Sequence, residues 1–233
     1  NQLYGKAGAP TCNIVVGVPD LESKNTTCAQ NIDKANALLD EAGWKKGADG
    51  IREKDGQKLK LVYQTTVNPV RQATQDLIKA QWAKIGVDTE LKAINAGVFF
   101  STDAGNPDTA NKFYTDIEMY TNNSEQPDFI NYLDGWTTKE ICSQANQWRC
   151  TNPSRYSNAE YDKLIAQLRT ETDPAKRRHL VIKANHTLVN DAVVIPLVPR
   201  TSPTSGKVKD LKGPTPNPWS SELWNIADWS KSQ

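Results

Sequence analysis

The sequence of 233 residues carries 28 Lys and Arg side chains against 27 Asp and Glu, for a formal net charge of +1. This length suggests one or two domains, and a hydrophobic content of 37% is enough for a packed core. The even charge balance argues against a nucleic-acid-binding protein, which needs a basic face. The longest unbroken apolar stretch, residues 192–195, is far too short to cross a bilayer. Because the first residue is Asn1 rather than Met, we expect a processed chain or a piece of a longer one.

A loop-rich opening, residues 1–30, precedes an amphipathic helix. The apolar face of this helix has helical spacing and consists of Ala35, Leu38, Leu39 and Ala42. Gly43 is placed to end the helix. The dipeptide Asp55-Gly56 then predicts a tight turn before a strand. The alternating apolar residues of that strand are Leu59, Leu61 and Tyr63.

A second helix and a second strand follow at the spacing of a βαβ unit. Asn68 is a helix cap before Pro69 at the first helical position. The apolar residues with helical spacing are Val70, Ala73, Leu77 and Ala80. After Gly86, a strand has Val87, Thr89, Leu91 and Ala93 on one side. A strand, helix and strand in this order close with a right-handed crossover onto a parallel pair, which predicts the α/β class.

The second half of the chain predicts shorter elements. We expect a strand over residues 113–120, a polar loop over 121–127 and a short helix over 128–133. Residues 157–160 match a capping box, and the helix that follows has an apolar face of Tyr161, Leu164, Ile165 and Leu168. Asp173 and Pro174 begin a further helix, which aligns Leu180, Val181, Ala184 and Leu188. An edge strand interrupted by proline is expected over 193–198.

Four cysteines indicate the compartment. The pairs that are close in sequence, Cys12 with Cys28 and Cys142 with Cys150, favour two disulfides, although four cysteines allow three pairings. Four free thiols in a cytosolic protein are the alternative. Two of the cysteines lie in loops rich in Gly, Asn and Thr, which favours an oxidising, extracytoplasmic setting. Neither histidine is close to a cysteine, so we expect no zinc site.

Three segments resemble the peptide-type, family 5 solute-binding proteins of ABC transporters, which include dipeptide, oligopeptide and nickel-binding members. They are LLDEAGWKKGADGIREKDGQKLKLVYQTT, QDLIKAQWAKIGVDTELKAI and RYSNAEYDKLIAQLRTETDPAKRRHLVIKANHTLVNDAVVIPLV. The resemblance implies a periplasmic-binding-protein-like (type II) lobe, with a mixed, partly parallel sheet flanked by helices.

Family members are longer than this chain and have two lobes, so the resemblance also implies a C-terminal fragment. It would comprise an incoming segment from the missing lobe (1–30), a second ligand-binding lobe (31–193) and a returning tail (194–233). The tail holds Trp219, Trp224 and Trp229. These side chains would pack on the missing first lobe, or alternatively fold back locally.

In oligopeptide-binding relatives, the loop after the strand at 113–120 carries an aspartate that pairs with the α-amino group of the ligand. In this sequence Asn123 or Ser124 falls at that position, and Met119 falls where some relatives have a basic residue for the ligand carboxylate. Both charges are missing, so a longer, blocked or uncharged ligand fits better. The expected ligand-binding side chains here are Tyr120, Asn122, Asn123, Ser124 and Glu125. An ordinary polar turn is the alternative.

A second candidate segment surrounds Trp148 with amide side chains. A flat aromatic ring beside amides is suited to stacking on a peptide bond, a side chain or a sugar, so we expect Trp148 and Asn152 to bind ligand. A Cys142–Cys150 disulfide would stiffen this loop and lower the cost of ordering it. The alternative is a surface loop with Trp148 tucked onto its own lobe.

The sequence shows no set of nucleophile, base and orienting group, and its only histidines are His179 and His186. We therefore expect no enzyme but the solute-binding component of an ABC importer. It would capture oligopeptide-like ligands between two lobes and deliver them to the membrane permease. The alternatives are an oligosaccharide receptor of the same family and a secreted hydrolase domain. The expected protein is a periplasmic or otherwise extracytoplasmic monomer, with or without a membrane tether, and it has no cofactor, metal or nucleic-acid partner.

Overall fold

A computed structural model of the chain describes residues 3–4, 8–122, 129–199, 209–215, 217, 220 and 223–231. The chain divides into two units. Unit 1 comprises Asn1–Gly5, Thr27–Asn122 and Gly135–Asp162. Unit 2 comprises Lys6–Thr26, Asn123–Asp134 and Lys163–Gln233. The lobe expected at residues 31–193 contributes to both units.

Unit 1 begins with helix α1 (Ile32–Glu41), where a helix is predicted. The Asn31 side chain caps it by accepting a hydrogen bond from the Lys34 amide at 2.8 Å. Gly43 follows with a φ of +89°, a conformation that glycine adopts without strain. The predicted apolar face is not buried, because α1 has no buried residue and Leu38 is 55% exposed.

A small antiparallel sheet follows α1. Its strands are β1 (Lys45–Lys46), β2 (Arg52–Lys54) and β3 (Gln57–Lys58), in the order β1-β2-β3. Asp55 and Gly56 have φ values of 52° and 78°. Positive φ at both central residues is what a two-residue hairpin turn requires, so the predicted Asp55-Gly56 turn is confirmed.

The predicted βαβ unit is confirmed. Strand β4 (Lys60–Thr66) leads through helix α2 (Pro69–Ala83) to strand β5 (Asp88–Ile94), and the two strands pair in parallel. The Asn68 side chain caps α2 by accepting hydrogen bonds from the amides of Val70 and Arg71, both at 3.1 Å. A local signal of two residues, Asn68-Pro69, therefore fixes where this helix begins.

The face that α2 presents to the sheet differs from the predicted one. Val70 is 40% exposed and Leu77 is 46% exposed, whereas Thr74 and Gln75 are buried. The Gln75 amide donates to the Tyr63 carbonyl oxygen at 2.7 Å. This polar face can be buried because the main chain of β4 supplies a hydrogen-bond acceptor for the Gln75 side-chain amide.

The third strand of the main sheet is β6 (Ile117–Met119), which pairs in parallel with β4 to give the order β5-β4-β6. The predicted strand over 113–120 is too long at its start, because Phe113 has a φ of +40°, outside the extended region. A short helix, α3 (Ala96–Phe99), follows β5 and was not predicted.

Two helices and a 3-10 turn complete the middle of the chain. They are α4 (Ile130–Asp134), a 3-10 helix at Thr138–Glu140, and α5 (Ala159–Thr170). The predicted cap of α5 is wrong by one residue. The side chain that accepts hydrogen bonds from the amides of Glu160 and Tyr161 is Asn158 and not Ser157. The predicted apolar face of α5 is confirmed, since Tyr161, Leu164, Ile165 and Leu168 are all buried.

Unit 2 is centred on helix α6 (Pro174–Asn190), capped by Asp173 as predicted. Its buried side chains are Val181, Ala184, Asn185 and Leu188. Fully buried Asn185 accepts hydrogen bonds from the amides of Ile14 and Val15 at 2.8 and 3.2 Å. One amide side chain thus satisfies two donors of an otherwise irregular segment.

The expected strand over 193–198 is wrong. This segment is irregular, and the Thr11 amide donates to the Leu197 carbonyl oxygen at 3.2 Å. Pro196 lacks the amide hydrogen that a strand ladder needs. The tail forms two short antiparallel strands, β7 (Leu211–Lys212) and β8 (Ser230–Lys231).

No helix among the described residues combines the length and apolar character that crossing a membrane requires.

Candidate ligand-binding site

The three parallel strands of unit 1 end at one edge of the main sheet, and the predicted binding loop begins there. Tyr120 and Asn122 directly follow β6, and Asn122 is exposed. In open α/β sheets, ligands bind outside the carboxyl ends of the strands. The other expected loop residues, Asn123, Ser124 and Glu125, lie outside the described residues.

Tyr120 lies in an aromatic cluster with two residues at the end of α3. Its ring centroid is 6.0 Å from that of Phe99 and 6.2 Å from that of Phe100, in edge-to-face geometry. Phe99 is fully buried, whereas Phe100 is 52% exposed. Burial raises the pKa of Tyr120 to about 12, so its hydroxyl is neutral at physiological pH. The cluster offers a ring edge and a neutral hydroxyl, a suitable surface for an uncharged group.

Met119, the position of the basic residue in some relatives, points to the interior of unit 1. Its sulfur accepts a hydrogen bond from the buried Tyr63 hydroxyl at 3.1 Å. A different cation, which was not predicted, lies at this edge. Arg71 of α2 donates to the hydroxyl oxygens of Thr66 at 2.6 Å and Thr121 at 3.4 Å. Its position in the first turn after the Asn68-Pro69 cap is a signal that could have located it.

Trp148 has its own set of neighbours in unit 1. Its ring meets Tyr114 edge-on at 5.7 Å between centroids. Two cations lie over the ring, Lys112 at 5.5 Å and Arg155 at 5.9 Å from its centroid. The Asn111 amide also donates to the Trp148 carbonyl oxygen at 2.8 Å. These contacts describe a ring held on its own unit, with cation–π partners in place of a free stacking face.

Asn152 is fully buried and serves the loop that contains it. Its amide nitrogen donates to the carbonyl oxygens of Trp136, Thr137 and Tyr156 at 3.2, 3.1 and 2.9 Å. Its side-chain oxygen accepts from the Ser154 hydroxyl and the Tyr156 amide. These contacts show that Asn152 holds its own loop together, and its contact with ligand stays a prediction.

All four cysteines lie in the described part of the chain, and none of them is a free thiol. Cys142 bonds to Cys150 with the two Cα atoms 5.1 Å apart, and Cys12 and Cys28 are also disulfide-bonded. The predicted pairing is confirmed, and the alternative of four free thiols is wrong. Within the described ranges, no three His, Cys, Asp or Glu side chains are placed to hold a metal ion.

A polar row, which was not predicted, crosses the main sheet on the face opposite α2. The register pairs Lys92 of β5 with Gln64 of β4, and Gln64 with Glu118 of β6. Gln64 is only 2% exposed, and its amide donates to a Glu118 carboxyl oxygen at 3.1 Å. Burial raises the pKa of Glu118 to about 8. In the sequence, a glutamate between Ile117 and Met119 looks like an ordinary solvent-facing strand residue.

The model of the bacterial extracellular solute-binding proteins, family 5 Middle, matches residues 1–144, more than half of the sequence. The chain belongs to this family.

Two curated relatives of this family 5 chain bind peptides according to their names. The Oligopeptide-binding protein OppA of Lactococcus lactis subsp. lactis (strain IL1403) is 51% identical over 65 residues, which cover 27% of this chain and 11% of OppA. The Di/tripeptide-binding protein 3 of Pseudomonas aeruginosa (strain UCBPP-PA14) is 27% identical over 182 residues, or 77% of this chain and 30% of that protein. The family 5 chain therefore spans about a third or less of these relatives.

Solved structures show the fold of the family 5 chain. The oligopeptide binding protein from Thermus thermophilus, complexed with a pentapeptide, has a TM-score of 0.71 at 23% identity. The match covers 82% of this chain and 33% of the Thermus protein. NikZ from Campylobacter jejuni, in complex with Ni(L-His), has a TM-score of 0.71 at 23% identity. The match covers 94% of this chain and 44% of NikZ. The predicted α/β, type II periplasmic-binding-protein-like fold is confirmed.

A further structure differs in its ligand. The mannohexaose-bound periplasmic oligopeptide-binding protein of an ABC transporter from Thermotoga maritima has a TM-score of 0.65 at 20% identity, covering 84% of this chain and 38% of its own. Structures that share this fold thus hold a peptide, a metal complex or an oligosaccharide, and the fold alone does not name the ligand.

Proposed function

We propose that this family 5 chain is the second lobe of an extracytoplasmic solute-binding protein that supplies an ABC importer with oligopeptide-like ligands. The observation that carries the proposal is the family match over residues 1–144. Matches to two proteins named as peptide-binding, over 27% and 77% of this chain, support it. Two disulfides support an oxidising location. The proposed partner is the membrane permease of the importer, and the proposed protein is a monomer that carries out no chemical reaction.

The proposed ligand contacts are at the end of β6. Tyr120 and Asn122 follow that strand, and Arg71 directs its guanidinium to the same strand ends. We place Asn123, Ser124 and Glu125 of the adjoining loop in the same role. Glu125 is the acidic residue of this set, whereas Asn123 and Ser124, at the position of the aspartate in the relatives, hydrogen-bond to amides or hydroxyls and give no counter-charge to a buried ammonium. A longer or blocked peptide therefore suits this loop better than a free dipeptide.

In the proposed mechanism, the ligand binds between this lobe and a first lobe, and hinge closure buries it. Segment 1–30 would enter from the first lobe, residues 31–193 would form the second lobe, and the tail from 194 would return to the first. Affinity would come from buried apolar surface and a few oriented hydrogen bonds. The closed form would then dock on the permease.

Calorimetric titration tests the proposal, using the longer protein that contains both lobes. The panel comprises blocked hexapeptides, free dipeptides and manno-oligosaccharides. We expect blocked hexapeptides to bind most tightly, and Tyr120→Ala to weaken them by about tenfold, equivalent to about 1.4 kcal/mol. Tyr120→Phe is the matched control, because it keeps the ring that packs on Phe99 and Phe100. Binding unchanged by Tyr120→Ala would remove this residue from the site.

An oligosaccharide ligand is the second candidate. It is favoured by the absence of an acidic or basic residue at positions 119, 123 and 124 and by the mannohexaose complex of a protein with this fold. Aromatic rings such as Tyr120 and exposed Phe100 suit stacking on sugars. Heat released with manno-oligosaccharides and none with any peptide would select this candidate over the first.

A further inference from the structure

Gln64 and Glu118 form a side-chain pair in the centre of the main sheet. They are directly opposite each other in the parallel register of β4 and β6. One hydrogen bond joins them, from the Gln64 amide nitrogen to the Glu118 Oε1 at 3.1 Å. Gln64 is 2% exposed, so water does not compete for this contact.

Each partner also has a buried oxygen that this hydrogen bond does not use. Within the described part of the chain, Gln64 Oε1 and Glu118 Oε2 have no hydrogen-bond partner. An amide oxygen and a carboxylate oxygen are both acceptors, so an ionised Glu118 leaves both without a donor. A buried acceptor without a donor is destabilising, because it has lost its hydrogen bonds to water. One proton on Glu118 Oε2 would turn one of these two acceptors into a donor for the other.

The neighbouring charges do not replace that proton. Lys92, the next member of the polar row, forms an ion pair with Asp108 at 2.6 Å. Arg155 donates to the carbonyl oxygens of Lys112 and Phe113 at 2.6 and 3.3 Å. Both cations act on Glu118 only at a distance, and the Tyr120 hydroxyl just beyond β6 is neutral near pH 7. Desolvation therefore outweighs them and favours the uncharged carboxyl.

We propose that Glu118 keeps its proton at neutral pH and forms a doubly hydrogen-bonded acid–amide pair with Gln64, and that loss of this proton is a pH switch in the sheet. Ionisation breaks the bond from the acid and places a buried negative charge on β6. Tyr120 and Asn122 are two and four residues further along the chain. The link from this switch to ligand affinity rests on the proposed function, whereas the proton site does not.

The direct test follows the Glu118 carboxyl carbon by NMR in the 233-residue chain labelled with carbon-13 glutamate. We expect its midpoint near pH 8 instead of the ordinary value of 4.5. The backbone amides of residues 120–122 should shift with the same midpoint. A Glu118 midpoint below about pH 6 would overturn the proposal, and so would backbone amide shifts at 120–122 that do not change with the Glu118 midpoint. This measurement needs no ligand, so its outcome is independent of whether the proposed function is correct.

The variant test compares Glu118→Gln with Glu90→Gln. Glutamine at 118 can donate to Gln64 at any pH, so the pair survives without a titrating group. In the wild type, the folded state binds the Glu118 proton more tightly than the unfolded state does. The denaturation midpoint should therefore fall as pH rises from 4.5 to about 8, and this fall should vanish in Glu118→Gln.

Glu90 is the matched control. It lies on β5 of the same sheet and is exposed, and it forms an ion pair with Lys60 at 2.9 Å that lowers its pKa. Glu90→Gln should keep the fall in stability between pH 4.5 and about 8. The same pH profile in Glu118→Gln and the wild type would refute the switch. If Glu118→Gln does not fold, the NMR titration of the wild type decides alone.

Discussion

Arg52 is a buried cation that joins several segments of unit 1. It is 2% exposed, and its guanidinium donates to one carboxylate, one amide side chain and three nearby carbonyl groups. The acceptors are Asp40 Oδ1, Asn36 Oδ1 and the carbonyl oxygens of Asn36, Trp44 and Ile85. The same contact lowers the pKa of the Asp40 carboxyl, mainly through the hydrogen bond from Arg52. Replacing Arg52 would leave carbonyl groups of three segments without this donor.

We predict that Arg52→Met lowers the free energy of unfolding by about 2–4 kcal/mol, because three partly buried carbonyl oxygens lose their donor. Chemical denaturation measures this change. Lys58→Met is the control, since Lys58 forms an exposed ion pair with Asp49 that solvent and salt screen. The control should leave the denaturation midpoint almost unchanged. Equal effects of the two substitutions would contradict the role given to Arg52.

At the scale of the element, α2 shows how burial can oppose apolar spacing. Leu77 recurs at helical intervals with Val70 and yet faces solvent, while Gln75 is 1% exposed against the sheet. Gln75 reaches both the Tyr63 carbonyl oxygen at 2.7 Å and the Lys92 carbonyl oxygen at 3.4 Å. The side chain of α2 that fixes the helix on two strands is therefore polar.

We predict that Gln75→Ala costs about 1–3 kcal/mol of unfolding free energy, because it removes a buried hydrogen-bond donor and leaves a cavity. Leu77→Ala removes a side chain of similar size from the same helix and should cost less than about 0.5 kcal/mol, as exposed substitutions do. Thermal unfolding of both variants, followed by the circular dichroism of the whole chain, measures the difference. A larger loss in Leu77→Ala would show that the predicted apolar face is the one that packs.

Local signals in the sequence predicted the order of elements well. Asn68-Pro69, Asp55-Gly56 and Asp173-Pro174 each act within a few residues, and each is found where it was expected. The strand expected over 193–198 fails for a reason that is also local. Residues 193–198 have the composition of a strand, but Pro196 cannot donate to a ladder and the segment stays irregular.

The sequence predicted which segments hold the candidate residues, but it did not predict the contacts that these residues make. The loop after β6 and the disulfide at Cys142 followed from the resemblance and from cysteine spacing. Sequence alone could not show that Asn152 is committed to three carbonyl groups. It also could not show that Glu118 faces Gln64, because the two strands that pair here, β4 and β6, are far apart in the chain.

At the scale of the whole molecule, the C-terminal tail keeps apolar side chains on the surface. Leu223, Trp224 and Ile226 are 53%, 50% and 56% exposed. Local contacts order this segment, since Asn225 donates to the Gly213 carbonyl oxygen at 2.8 Å and accepts from the Trp229 indole at 3.0 Å. Trp219 lies outside the described residues. Neighbouring exposed apolar groups on an ordered segment are typical of a contact surface, as the proposed first lobe requires.

If recognition is shared between two lobes, this chain alone has only part of the ligand contacts. We predict that the 233-residue chain binds the ligand of the longer two-lobed protein at least about a hundredfold more weakly, equivalent to about 2.7 kcal/mol. Calorimetry on both proteins with the same blocked hexapeptide measures the ratio. Cooperative thermal unfolding of the shorter chain is the control, because weak binding by an unfolded chain has no meaning. Equal affinities would place the whole binding site within these 233 residues and would refute capture between two lobes.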